Sequence, residues 1–554
     1  MRVTTQATPL ARAADPDTAH RTVRTVGPTR RDARVMRIAG WVAVALVLVL
    51  ALGAFVPLAA EGVARGERLG GAAAGYAWRV TLFTLWQALL STVLSLLFAI
   101  PVARALARRP RFPGRGLLVS ALALPLVLPA IVAALAIVGV WGRQGPINDL
   151  IAALGGERVS IYGLAGILVA HVFFNMPLAA RLFLRHLEAV PTERWRLAAQ
   201  LGLSPLAVWR TIEWPAMRAH IGGVALLVFA LCATSFAIVL VLGGGPRYTT
   251  LEVAIYQALR FDFEPGRAVV LAVIQLALTG AIALALRGRD SEPVEIGTAR
   301  APRRYGNNAG WERAVDAVVI GVAAFYLLAP LLVLVWNGLA ADLARLAGEP
   351  AVRGAVATSL ILGVLAASLC MLATVALTLG AHAGGATLRG LSGSVASLVL
   401  LVPPTVIGAG WFLALRGTGA LFSAAPIMIV VVNAVMALPF AMRIVQPAWA
   451  RHAGRVDRAA LALGMGGWSR LARLDWPAMR PALALAFAFA LALSLGDLGV
   501  VALFGSQDWT TLPLLLLQRM GSYRTADAAG LALLLAALSL GIVALAALAG
   551  RRAA

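Results

Sequence analysis

Apolar residues run along this chain in long blocks rather than in alternation, and the polar residues gather in short intervals between the blocks. An α-helix rises 1.5 Å per residue, so roughly 20 apolar residues cross the ~30 Å hydrocarbon layer of a bilayer. Twelve stretches meet this requirement: 38–60, 81–105, 116–140, 161–184, 221–242, 268–286, 315–338, 355–380, 392–416, 423–448, 481–504 and 527–548. The pattern predicts an all-α polytopic membrane protein. Pro125 and Pro129 fall in the third stretch and Pro403 and Pro404 in the ninth, where they predict kinks. The fifth stretch ends on LGGGP, and Gly243 to Gly245 are expected to turn near the outer surface. A phosphate cradle is not expected there, because no strand-to-helix context surrounds the glycines.

Composition agrees with the pattern: the chain is 60% hydrophobic, only 13% charged, and has a mean hydropathy of +0.84. Residues 1–37 carry eight arginines and three aspartates without an apolar run, which predicts a basic cytoplasmic tail rather than a cleaved signal peptide. Arginines then crowd alternate intervals, 104–115, 181–220, 287–313 and 443–480, while 61–79, 141–160, 243–267 and 505–524 mix acids and bases nearly evenly. Under the positive-inside rule the arginine-rich intervals and both termini are cytoplasmic. The net charge of +23 therefore belongs to topology and anionic lipid rather than to nucleic acid. Cys232 and Cys370 lie in predicted spans of different halves and suggest neither a disulfide nor a metal site. No HExxH, GxGxxG or Walker-type stretch argues for catalysis or for a cofactor bound by this chain.

The chain repeats itself. EWPAMR at 213–218 returns as DWPAMR at 475–480, an offset of 262 at which Pro177 meets Pro439, Arg181 meets Arg443 and Gly202 meets Gly464. At an offset of 261, Thr249 to Leu251 meet Thr510 to Leu512 and Gln257 meets Gln518. These polar and aromatic identities in order predict two six-span units, 38–287 and 315–554, joined by a polar linker at 288–314. Both repeated loops follow a fourth span, so the units are expected to be parallel rather than inverted.

In the first loop, residues 192–201 are expected to form a helix capped by Thr192 and ended by Gly202. A second short helix from Pro205 to Ile212 is expected to stop ahead of Pro215. The second loop repeats the plan around Gly464, so each half should present a compact cytoplasmic knob. Trp214 and Trp476 can fill a partner's pocket or anchor the chain at the membrane interface. Arg181 and Arg443 near the span ends can pin the knobs or serve topology alone.

These loops resemble the coupling motif of permease subunits of ATP-binding-cassette importers. Arg196, Leu197 and Ala198, and Arg458, Ala459 and Ala460, stand where that family has glutamate, alanine, alanine. Gly202 and Gly464 keep its glycine, and Trp214-Pro215 and Trp476-Pro477 occupy its leucine-proline position. Arginine in place of glutamate is a departure in both halves. Further stretches resemble the fused permeases of thiamine and thiamine-diphosphate importers, among them GILVAHVFFNMPLAARL at 166–182, SLGDLGVVALFG at 494–505 and TLPLLLLQRMGSYRTADAAG at 511–530. The resemblance implies the fold of a type I importer permease in the inner membrane, moving its cargo without catalysis of its own. It also implies two ATP-binding subunits, which use ATP and magnesium, and a periplasmic thiamine-binding protein. A ferric-iron permease of the same layout and an ion-gradient-driven transporter are the alternatives.

Polar residues inside predicted spans are costly and face an interior or a path. Asp497 is the sharpest case: it can line the path and favour a cation, or accept backbone hydrogen bonds near Gly496 and Gly499. Asn175, Gln257 and Gln518 are further path candidates, with helix packing as the alternative.

Overall fold

The long apolar blocks become helices in a computed structural model, which describes residues 30–65, 71–286, 310–399, 402–416, 418–419, 421–465, 467–506 and 508–552. Most of the predicted tail (1–29) and of the predicted linker (288–309) lies outside the described residues. Among the described residues, eleven helices are long and apolar enough to cross a membrane, and every regular element is helical. Helices suit a medium without water because each closes its own backbone hydrogen bonds. The protein is thus an all-α, multi-pass membrane protein.

Five predicted spans are interrupted, 38–60 among them at Gly53 between the helices Arg30–Leu52 and Phe55–Arg65, and proline or glycine stands at four of the interruptions. The predicted span 392–416 is two helices, Gly385–Val399 and Pro404–Arg416, the second opening on a proline that has no N–H to continue a ladder. The predicted span 116–140 is likewise broken into Arg115–Ala121, a single turn Leu124–Leu126 and Ala130–Trp141, with Pro129 extended at φ −55°, ψ 134° before the last piece. These prolines break their helices instead of kinking them. The fifth span of the first half stops at Trp214–Ala233 and restarts as Ala237–Leu242. Its counterpart stops at Trp476–Leu495 and restarts as Gly499–Phe504. The glycine triplet does turn: Gly244 and Gly245 take φ of +69° and +135° ahead of the turn Pro246–Tyr248.

The breaks converge. A Cβ on Gly496 would lie 3.2 Å from Pro129, and one on Gly499 would lie 3.6 Å from Thr405 and 3.7 Å from Phe236. Segments from both halves therefore share one junction of unwound backbone.

Corresponding positions use corresponding devices. The N–H of Leu251 donates to Thr84 Oγ1 at 3.0 Å, and that of Leu512 donates to Ser359 Oγ at 2.8 Å. Each bond satisfies a helix N-terminus that has no intrahelical acceptor, from a hydroxyl on the second long helix of the same half.

The first helices cross over. Arg30–Leu52 packs on Pro350–Ala383 and Gly385–Val399, whereas Gly310–Leu339 packs on Gly71–Arg108 and Ala130–Trp141 as well as on Thr525–Arg552 of its own half. Gly40 and Gly380 bring two backbones together, since a Cβ on Gly40 would lie 2.7 Å from the Gly380 Cα. Trp411 Nε1 donates to Leu50 O at 2.9 Å, and Tyr326 Oη donates to Val169 O at 2.6 Å. At one end of the crossing, the buried pair Glu312 and Asp316 meets Arg108 and Arg109, with Arg109 Nε 2.8 Å from Asp316.

Candidate functional site

The two repeated loops share a backbone plan. The helix Thr192–Gln200 ends where Gly202 takes φ +60°, with Leu203 N–H returning to Ala198 O at 3.0 Å. Gly464 takes φ +62°, with Met465 N–H returning to Ala460 O at 2.8 Å. Only glycine holds this left-handed C-terminal position without strain, so the expected bends are met.

Beyond the bend the sequence expectation needs correcting. Pro215 and Pro477 do not stop a helix; each lies in the first turn of the next one, Trp214–Ala233 and Trp476–Leu495. The chain absorbs the proline by widening the preceding turn, Trp209–Glu213 and Leu471–Asp475, so that Trp214 N–H bonds Trp209 O and Trp476 N–H bonds Leu471 O. Such five-residue closure leaves room for a ring that cannot donate. Thr192 is the first residue of its helix rather than its cap, and Pro191 takes the capping position. In the second half the corresponding residue is Ala453, and the helix Leu421–Ala462 runs unbroken into the bend.

The loops are filled differently. In the first, buried Trp195 packs with Val190, Ala198 and Ile212, flanked by Leu203 and Val208. The buried Glu213 is held from outside the loop by Arg104 Nε at 2.6 Å, and that guanidinium also lies 4.7 Å from the Trp209 ring. In the second, the positions of Val190, Trp195 and Val208 are taken by His452, Asp457 and Arg470. Arg470 bridges Asp457 at 2.5 Å and Asp475 at 3.2 Å; His452 lies 2.8 Å from Asp475, and His382 3.2 Å from Asp457. Asp32, on the first helix, accepts the Gly467 N–H at 3.0 Å.

Of the predicted loop residues, Arg196, Gly202, Gly464, Trp476 and Pro477 are exposed, Trp214 and Pro215 are half-buried, and Ala198 and Ala460 are buried against their own loops. The Arg458 side chain lies outside the described ones. The exposed surface includes matched apolar positions on either side of each bend. Leu201 and Leu206 are 65% and 57% exposed, and their counterparts Leu463 and Trp468 are 72% and 79% exposed.

The path candidates do not gather in one place. Asn175 is buried within the first half, donating to His171 O at 2.9 Å and to Cys232 Sγ at 3.3 Å, a packing role. Gln257 and Gln518 sit in the last turns of Leu251–Arg260 and Leu512–Gly521, half-buried and exposed respectively. Asp497 lies at the junction of breaks, its Oδ1 accepting the Gly499 N–H at 3.1 Å. Across Thr405, which a Cβ on Gly499 would approach to 3.6 Å, stands a residue that sequence reasoning missed. Glu252 is fully buried, accepts from Thr405 Oγ1 of the other half, and lies 3.4 Å from Gln275 Nε2. The available signal was one carboxylate in an apolar decapeptide, LEVAIYQALR, where the second half has Pro513. Among the described residues no cluster of three His, Cys, Asp or Glu could hold a metal ion.

No protein-family profile matches the chain. It is 50% identical over 510 residues to a thiamine transport system permease protein of Brucella abortus (strain 2308), covering 91% of this chain and 94% of that relative. It is 41% identical over 466 residues to the thiamine transport system permease protein of Escherichia coli (strain K12), covering 83% and 87%. A molybdenum transport system permease protein of Azotobacter vinelandii is 34% identical over 173 residues, 31% of this chain and 75% of that relative.

Proposed function

The chain belongs to the family of thiamine transport system permease proteins, and from that premise we propose that it works as two like-oriented six-span units, each offering one loop to an ATP-binding subunit. It is the membrane-spanning permease of an importer for thiamine or thiamine diphosphate in the inner membrane, and hydrolysis belongs to a separate ATPase. The observation that carries the transport function is the 50% identity to such a permease along nine-tenths of the chain. The 173-residue match to a molybdenum permease, most of that relative's length, supports a unit smaller than the whole chain.

In this reading residues 38–287 and 315–554 are the two units, both termini are cytoplasmic, and the bends at Gly202 and Gly464 face the ATPase. Leu201 with Leu206, and Leu463 with Trp468, support the docking role, because matched apolar surface left in water marks a place for a partner. ATP can shift the permease only if its binding favours one arrangement of the two loops over the other. Two identical subunits then need two matching handles. The charge of a glutamate is not required at Arg196 and Arg458 if apolar contact carries the docking. A soluble periplasmic protein, taken to be thiamine-binding, delivers cargo to the opposite face.

The test is reconstitution of the chain with its ATP-binding subunit in proteoliposomes. Hydrolysis is expected to rise, and labelled thiamine to enter, only with the loaded binding protein; stimulation by an iron-loaded protein instead would overturn the cargo. Labelling of single cysteines at positions 205 and 467 from opposite sides of the membrane would overturn the arrangement.

A further inference from the structure

Glu252 has no partner of opposite charge among the described residues, although a buried carboxyl in a membrane protein is expensive and is kept for a purpose. Its position in the first turn of Leu251–Arg260 makes the acid tolerable at a helix N-terminus without requiring that it be buried. The amide of Gln275, itself fully buried, turns its nitrogen to Glu252 and leaves its oxygen with no hydrogen-bond partner. That buried oxygen can accept from a further donor.

Aromatic rings lead to the same place. Phe261, 63% exposed, meets Tyr256 edge-on at 5.5 Å; Tyr256 meets Phe236 edge-on at 5.4 Å; and Phe236 lies beside Gly499, next to Asp497 and Thr405. Tyr256 and Glu252 are four residues apart and share a helix face. The two acids occupy unmatched positions in the repeat: Glu252 answers to Pro513, and Asp497 to Ser235. Neither acid is required by the plan the two units share, and a cargo without two-fold symmetry can take a different group from each side.

We propose that Glu252 and Asp497, reached along Phe261, Tyr256 and Phe236, form a subsite for a flat organic cation at the junction of the two halves. This rests on the reading of the chain as a thiamine permease, whose cargo carries a thiazolium charge and two planar rings. Rings of this kind stack on aromatic faces and are drawn to them when charged. The hydrogen bond between Glu252 and Thr405 ties the halves in the structure, so tilting of one half against the other breaks it and frees the carboxyl group as the passage opens.

The experiment uses the complete importer in proteoliposomes and reads both thiamine uptake and ATP hydrolysed per thiamine moved. E252Q and D497N are each expected to lower uptake at least tenfold while hydrolysis falls less than threefold, so that the ratio of ATP to thiamine rises several-fold. T405V, which removes the tie and keeps both carboxylates, is expected to lower uptake no more than threefold. The proposal is overturned if E252Q takes up thiamine within twofold of the wild type, if uptake and hydrolysis fall in proportion, or if T405V matches the loss in E252Q. A wild-type importer that hydrolyses ATP but moves no thiamine overturns the cargo reading itself, and the subsite with it.

Discussion

The two loops share a glycine bend and a widened turn but are filled differently. The first is built around Trp195 in an apolar cluster with Val190 and Ile212; the second puts Arg470 between Asp457 and Asp475, with His452 and His382 beside them. The bend and the widened turn before the tryptophan-proline pair survive this exchange unchanged. The shape is therefore specified by glycine and proline, and the filling only has to hold it. Apolar packing is non-directional and forgiving, whereas a buried ion network adds little net stability but tolerates the loss of no member.

The largest expected effect follows from that intolerance. Replacing Arg470 with Met leaves two buried carboxylates without their shared cation and should cost about 3–5 kcal/mol locally. Hydrogen exchange of the amides between 457 and 475 reads it, and unchanged protection would show that the histidines suffice. Trp195→Ala in the first loop should cost about 3 kcal/mol, toward the lower end for a large side chain because the exposed loop can partly collapse. The same exchange measurement, over residues 192–212, checks it.

Gly202→Val and Gly464→Val should each cost about 1–2 kcal/mol, since each forces a β-branched residue into left-handed backbone. Because the bend is common to both loops, the two single variants should weaken recovery of the ATP-binding subunit in co-purification to a similar degree. A strongly one-sided result would mean that the loops are not equivalent handles. The smallest change is expected from the most drastic substitution. Converting His452, Asp457, Arg470 and Asp475 together to Val, Trp, Val and Leu should leave stability within about 2 kcal/mol of the wild type, as apolar replacement of a whole buried network often does. Thermal unfolding in detergent would show whether the first loop's chemistry can serve in the second.

Legibility in the sequence followed the range of the interaction. Gly202 and Gly464 could be read because a left-handed helix end is a local demand with one cheap solution. Pro215 reads locally as a stop, but its effect depends on the five residues before it, which widen into a different turn. Pro403 and Pro404 signal a disturbance, but not that the break beside Thr405 would meet the break at Gly499 from a distant part of the chain. Trp195 carries no local sign of its burial, and nothing near it reveals that Asp457 takes its place in the second loop. Glu252 escaped because its partners, Thr405 and Gln275, are remote in sequence, and one of them comes from the other half. Periodicity finds membrane helices; it does not say which of them will touch.

The crossed placement of Arg30–Leu52 and Gly310–Leu339 restricts how such a molecule can move. Each half carries a limb of the other on its back, so neither can drift away without dragging part of its neighbour along. What remains is a pivot, like two people with linked arms turning about a common point, and a channel built this way opens by tilting rather than by coming apart.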